Sequence, residues 1–393
     1  MGVGEVAEAG ATGRAGAPPP PLRVLQVIKS LGRGGAERLV VDLVAAADTE
    51  RVTHEVAFVL ASEDALVPDL EAHGVAVRSL GATGNRDLRW TVALRRLLVA
   101  GRYDAVHFHL PYAAAVGNLV VSSLPSGRRP GVVYTEHCQW DEHHRSVRLL
   151  LRLSSRSGWP VVAVSRAAYD ALPPALRTHA QVVVHGIDQA PLAAAAAARE
   201  EARNEIRREL DVDPATVLVA IVANLRAQKG HEVLLEATRL LAERGVPVRV
   251  VAAGDGPLRD ELLARRHALG LDDRVAFLGA RPDAVRLMAG ADILALSSHY
   301  EGLPVVLMEA SGLGLPVVAT AVGGIPEVLT DGADALLVPP GDASALADAL
   351  ERMALDDVLR ARLGAAFAAQ AGRFDIAHTE DAMETLYRQV APR

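Results

Sequence analysis

The feature that most constrains this chain is a pattern that runs through it twice, short β-branched runs alternating with longer amphipathic stretches. Strand-length apolar segments fall at residues 23–28, 55–60, 75–79, 105–108, 131–135, 161–164 and 181–184. They recur at 217–222, 249–253, 275–278, 293–296, 317–319 and 335–338. Helix-period stretches separate nearly all of them, which predicts α/β structure with parallel strands. At 393 residues the chain is too long for one compact core, so the two series read as two doubly wound, Rossmann-like domains. Residues 186–214 lie between them and hold an alanine-rich run, a charged helix over 199–210 and the break Asp211-Val212-Asp213-Pro214. The boundary is therefore set near residue 188, giving units of 22–187 and 188–393. A last helix over about 378–390 is a candidate to pack back on the first unit. Two such domains predict a ligand crevice at the carboxyl ends of both sets of strands.

Residues 1–21 read as a disordered tail, rich in Ala, Gly and Pro and ending in four prolines. Glu5 and Glu8 stand where a secretory signal would be basic, and no apolar core follows them. No later stretch is long and apolar enough to span a bilayer. The net charge of −7 leaves no domain-wide basic surface to track phosphates, so no nucleic-acid partner is expected. A lone cysteine, Cys138, excludes an internal disulfide and a cysteine zinc cluster. These features fit a cytoplasmic protein, with contact at the inner face of the membrane as the furthest extension.

Four loops carry chemistry. After the first strand comes Ser30-Leu31-Gly32-Arg33-Gly34-Gly35-Ala36-Glu37, a strand–glycine–helix turn of the kind that brings backbone close to phosphate. Its spacing is not G-x-G-x-x-G, so it is no dinucleotide fingerprint, and a plain tight turn explains it equally well. The second series opens with Asn224-Leu225-Arg226-Ala227-Gln228-Lys229-Gly230. There Arg226 and Lys229 precede a helix start, and two cations beside a positive helix end suit a diphosphate. The turn Gly254-Asp255-Gly256-Pro257 follows the next strand.

The decisive stretch is Tyr300-Glu301-Gly302-Leu303-Pro304-Val305-Val306-Leu307-Met308-Glu309. A strand ends in a polar loop, Pro304 opens a helix, and Glu309 follows about one and a half turns in. Amides of residues 302–305 form a helix-start anion hole. A carboxylate accepts two hydroxyl hydrogen bonds at once, which suits a vicinal diol. Two acids flanking an anion hole match a ligand with diols at both ends and a diphosphate between.

With the basic loop, the Gly-Asp-Gly-Pro turn and Val322-Gly323-Gly324-Ile325-Pro326-Glu327, this E-x7-E stretch resembles glycosyltransferase family four, of GT-B fold. The resemblance covers nearly everything from residue 22 onward. In the first half it takes in Gly34-Gly35-Ala36-Glu37, His107-Phe108-His109-Leu110-Pro111-Tyr112, Tyr134-Thr135-Glu136-His137 and Ser165, with Gly186-Ile187-Asp188 at the hinge. It implies a retaining, metal-independent transferase that moves a hexose or N-acetylhexosamine from a nucleotide-diphosphate sugar. The acceptor hydroxyl would belong to a glycan, a lipid-linked or a small molecule, and no cofactor would be needed.

The resemblance also implies roles. Arg226 and Lys229 bind the diphosphate, Glu309 the ribose and Glu301 the transferred sugar. Gly34 and Gly35 approach from the opposite domain, and His109 sits by the reacting sugar. Gly254, Gly302, Leu303 and Pro304 complete the donor side, with His137 and Tyr112 on the acceptor side. One departure stands out: where the family carries the arginine of G-R-L-x-x-x-K-G, this chain has Asn224, and Arg226 takes the role.

Other readings compete. Asp211-Val212-Asp213 has D-x-D metal spacing but sits in a hinge turn. His107, His109, His137, His143 and His144 lack closed metal-ligand spacing. A nucleotide-sugar-binding protein without transfer activity is the alternative from another class. An oxidoreductase lacks its fingerprint, and a phosphorylase lacks its late lysine, since none follows Lys229. The stretch 143–156, with Arg145, Arg148, Arg152 and Arg156 among leucines, is either a wet basic helix face or a peripheral contact for an anionic membrane.

Overall fold

The computed structural model describes residues 20–84, 86–154 and 158–392; the tail over 1–19 and Arg156 lie outside them. All thirteen expected strands form, as β1 Leu22–Ile28, β2 Val52–Leu60, β3 Ala76–Ala82, β4 Ala105–His109, β5 Gly131–Glu136, β6 Val161–Ala163, β7 Ala180–Val182, β8 Val217–Val222, β9 Val248–Ala253, β10 Val275–Gly279, β11 Ile293–Leu296, β12 Val317–Thr320 and β13 Leu336–Val338. Their ends match the sequence periodicity to within a few residues. Continuous runs such as Val-Leu-Val-Ala-Ile-Val in β8 are apolar on both faces because helices cover both faces of the sheet.

The strands assemble into two parallel sheets, ordered β3-β2-β1-β4-β5-β6-β7 and β10-β9-β8-β11-β12-β13. Each reverses winding direction once, between β1 and β4 and between β8 and β11. At such a switch point neighbouring loops diverge to opposite faces and leave a crevice at the strands' carboxyl ends. Both switch points supply the loops of the site described below.

The chain crosses between the sheets twice, and the crossings are bonded to each other. Ile187 N donates to Phe374 O at 2.9 Å, and Ile376 N donates to Ile187 O at 3.2 Å. Gly186 has to be glycine there, because a Cβ would stand 2.3 Å from Asp375 O. The final helix, Ile376–Val390, then lies on the first sheet. Met383, Leu386 and Tyr387 are buried against Val24, Ala105, Val133 and Val162. Burying each such side chain is worth about 1.5–3 kcal/mol, enough to hold the helix away from the sheet that precedes it in sequence.

The hinge acids act as turn chemistry. Asp213 Oδ1 accepts from Ala215 N at 2.7 Å, and Asp211 adopts φ +50°.

Candidate active site

The basic loop is shaped before any ligand arrives. Gly230 takes φ +59°, and a Cβ on it would meet Ser297 O at 2.0 Å, so the loop presses on the end of β11. Ser297 Oγ donates to Lys229 O at 3.0 Å and completes that contact. Gly254, at φ +149°, lets the glycine turn close against Ala223 O in the same way. Leu225 N then donates to Asp255 O at 3.1 Å, which ties the basic loop to the turn. The main-chain carbonyl of Asn224 accepts from Arg226 N at 2.9 Å and lies 3.2 Å from His231 Nε2.

Lys229 Nζ donates to Glu301 Oε1 at 2.6 Å. Ser298 Oγ donates to the same oxygen at 2.7 Å, and Gln228 Nε2 to Oε2 at 3.4 Å. Glu301 is therefore a buried, fully bonded carboxylate at the strand end. Arg226 is exposed, and its guanidinium has no hydrogen-bond or ion-pair partner among the described residues. Burial raises the pKa of Glu37 across the cleft, and Arg226 lies close enough to oppose that shift weakly.

Two helix starts face each other here. Helix Gly35–Ala46 follows Gly34, helix Val305–Leu313 follows Pro304, and neither N-terminus has a side-chain cap. A Cβ on Gly35 would lie 3.4 Å from Val305 Cγ2, so the first turns meet across the crevice. Open helix-start amides carry partial positive charge, and here two sets converge beside Arg226 and Lys229. Gly302 makes the tightest crossing: a Cβ would stand 2.1 Å from His137 O. Leu303 and Pro304 are buried behind it.

Glu309 faces the first domain's helix. Among the described residues it has no hydrogen-bond or ion-pair partner. Burial pushes its carboxyl up to about 7, an effect opposed by Arg38 and reinforced by Asp42. A partnerless, desolvated carboxylate beside a cleft is primed to accept hydroxyl hydrogen bonds.

The structure gives two expected first-domain residues specific surroundings. Both ring nitrogens of His109 have partners: Nε2 lies 2.8 Å from Gln26 Oε1 and Nδ1 3.1 Å from His137 Nε2. His109 is 1 % exposed and sits behind His137, which borders the cleft at 9 %. Tyr112 packs half-buried against Trp90, with ring centroids 6.0 Å apart, at the start of helix Pro111–Ser122. The residue after His109, Leu110, adopts φ +70°, a conformation that is costly outside glycine.

Two contributors were given no role from the sequence: Gln26, and Glu327 of the Val322–Glu327 motif. Gln26 interrupts an apolar strand, and a buried polar residue at such a position is the signal that would have flagged it. Glu327 reaches across the domains to accept from Arg166 N and Ala167 N, each at 2.7 Å, and so caps helix Arg166–Ala171 beside Ser165. Among the described residues, no group of three or more His, Cys, Asp or Glu is arranged to hold a metal ion.

Known proteins resemble the chain along most of its length. A family model described as Glycosyltransferase Family 4 matches residues 33–190, and one described as Glycosyl transferases group 1 matches residues 202–369. A D-inositol 3-phosphate glycosyltransferase of Saccharomonospora viridis is 35 % identical over 232 residues, 56 % of this chain and 52 % of that protein. An alpha-D-kanosaminyltransferase of Streptomyces kanamyceticus is 32 % identical over 49 % of this chain and 50 % of its own length. The chain thus spans about half the length of the curated relatives it matches. Among solved structures, Anabaena HepE in complex with UDP-glucose superposes with a TM-score of 0.79 at 25 % identity, covering 93 % of this chain and 100 % of that one.

Proposed function

The chain belongs to glycosyltransferase family four and has the GT-B fold, and on that premise we propose that it transfers a hexose or N-acetylhexosamine from a nucleotide-diphosphate sugar, with retention at the anomeric carbon. The observation that carries this reading is the meeting of two uncapped helix starts, at Gly35 and Val305, beside the unpaired Arg226. Phosphate oxygens would accept from those amides and from Arg226 and Lys229. Glu309 would accept from the ribose hydroxyls, and Glu301 from hydroxyls of the sugar. Residues 22–187 would form the acceptor-side unit and 188–393 the donor-side unit.

In the reaction, the bond between the anomeric carbon and the diphosphate oxygen breaks as the acceptor oxygen bonds to that carbon from the same face. The acceptor's proton passes to the departing phosphate oxygen. Charge gathers on the diphosphate in the transition state, where preorganised cations and amides stabilise it most. That counter-charge comes from the protein itself, so we expect turnover without an added metal or cofactor. The test is a screen of nucleotide-diphosphate sugars by thermal stabilisation and by release of nucleoside diphosphate. Stabilisation by one donor class with slow hydrolysis is expected. Binding by none sinks the reading, and binding with no transfer to any acceptor favours a sugar-nucleotide-binding protein.

For the acceptor we favour a lipid-linked glycan over a glycan or small molecule free in solution. Helix Arg145–Ser154 turns Arg145, Leu149, Arg152 and Leu153 outward, with Leu149 59 % and Leu153 48 % exposed. It follows directly on the acceptor-side loop that bonds His143 to Glu136. Cationic and apolar side chains on one face suit an anionic bilayer surface, and no described helix is long and apolar enough to cross one. Salt-sensitive sedimentation with anionic vesicles is expected. Its absence would leave a cytoplasmic enzyme acting on soluble acceptors.

A further inference from the structure

The polar groups buried beneath the cleft form a continuous hydrogen-bonded chain, and the chain has a direction. Gln26 lies in the middle of β1, fully buried. Its amide nitrogen is 3.0 Å from Tyr387 Oη and 3.1 Å from His54 Nδ1, and its amide oxygen is 2.8 Å from His109 Nε2. An amide oxygen only accepts, so the proton of that last bond belongs to His109 Nε2. Burial holds the His109 ring neutral, and a neutral imidazole has one proton, which leaves His109 Nδ1 bare. His137 Nε2 lies 3.1 Å from that bare nitrogen and must supply the proton between them. By the same count His137 Nδ1 is a lone pair. It has no hydrogen-bond partner among the described residues and keeps some solvent exposure, on a residue whose carbonyl oxygen abuts Gly302 at the cleft.

We propose that Gln26, acting through His109, sets the tautomer of His137, so that the ring edge facing the cleft is a hydrogen-bond acceptor for a ligand hydroxyl. His109 is then a positioning residue and Gln26 the origin of the proton order. The final helix contributes through Tyr387, whose hydroxyl takes one amide hydrogen of Gln26 and lies 2.8 Å from His107 Nδ1. This order depends on the orientation of the Gln26 amide. Turning the Gln26 amide over would reverse every proton along the chain and leave His137 with a hydrogen on Nδ1.

That the ring meets a hydroxyl rests on the cleft being a sugar site, but the tautomer does not, and the two are tested apart. The ligand-free full chain, labelled with 15N-histidine, is read by long-range 1H–15N correlation, with His137 assigned from the His137→Phe spectrum. The expected result is a proton on Nε2 and a bare Nδ1. Gln26→Leu and His109→Phe each cut the chain and should shift His137 toward the other tautomer or a mixture. Nδ1 protonated in the wild type overturns the proposal, as does an unchanged His137 tautomer in either folded variant. Separately, Gln26→Leu should lower kcat/KM about tenfold, the scale of one lost hydrogen bond, while UDP binding stays unchanged, since Gln26 acts through the histidines and not through the helix-start amides. An altered tautomer with unaltered kcat/KM would keep the proton order and remove the hydroxyl contact.

Discussion

Lys229 and Glu301, 72 residues apart in sequence, meet at 2.6 Å at the mouth of the second sheet's switch point. The pair gives the site a resting state in which the cation proposed for the diphosphate already holds the acid proposed for the sugar. Ligand binding would then redistribute existing contacts instead of ordering free side chains, which lowers the entropy cost of association.

Lys229→Ala should reduce transfer by about 10²–10³-fold, the usual scale for losing one preorganised donor to developing charge. It also leaves Glu301 without its cation, which costs about 1.5–3 kcal/mol of stability. Glu301→Gln keeps the Ser298 contact and should unfold less readily than Lys229→Ala while losing transfer comparably. Steady-state kinetics and denaturant midpoints check both, and near-normal turnover in either variant would remove that residue from the site.

Glu309 predicts a pH dependence. Its folded value of about 7 lies above the ordinary 4.5, with burial as the main cause. The folded state therefore binds the proton more tightly than the unfolded state. The stability this provides is complete below about pH 4.5 and is lost as pH rises through about 7. Hydroxyl donors favour the ionised form, so donor affinity should climb across the same interval. Glu309→Gln should flatten both profiles. Thermal melts at a series of pH values read the first and calorimetric titration with donor the second, and an unchanged slope in the variant would reject the assignment.

Gly302 tests the cleft's spacing. A methyl group there must displace His137 O, so Gly302→Ala should cut transfer at least tenfold and lower the melting temperature. Gly372, whose Cβ position is open, serves as the control, and Gly372→Ala should stay within about 0.5 kcal/mol of wild type. Equal behaviour of the two variants would mean that the domains do not close as tightly as this contact requires.

Tyr387→Phe isolates the docking of the final helix. It removes the hydroxyl that partners Gln26 and His107 inside a fully buried network. Unsatisfied buried groups cost about 1–3 kcal/mol, and urea denaturation should report a loss of that size with an unchanged m-value. A loss below about 0.5 kcal/mol would show that water takes over the hydroxyl's role.

Much of the site was legible because the chemistry sits on loops whose residue types are unusual for their place. Arg226 and Lys229 before a helix start, and Glu301 and Glu309 around Pro304, need only local geometry to make sense. The first-domain histidines were harder. His107 and His109 lie on β4 and His137 just beyond β5, and the resemblance alone put His109 by the sugar and His137 on the acceptor side. The structure ranks them through Gln26: because its amide oxygen engages His109, the ring nearest the strand is consumed internally and His137 becomes the edge of the cleft.

By itself the sequence determined the two parallel sheets, strand by strand, because apolar period and glycine punctuation are local properties that survive without knowledge of neighbours. It also determined which loops carry charge. Only the tertiary structure decided which groups are free to act. Arg226 is unpaired while Lys229 is held, Glu309 is desolvated without a partner, and Glu327 is spent capping a helix of the other domain. Whether a polar side chain binds a ligand or another residue depends on contacts between segments far apart in the chain, and those exist only once both sheets and the returning helix are in place.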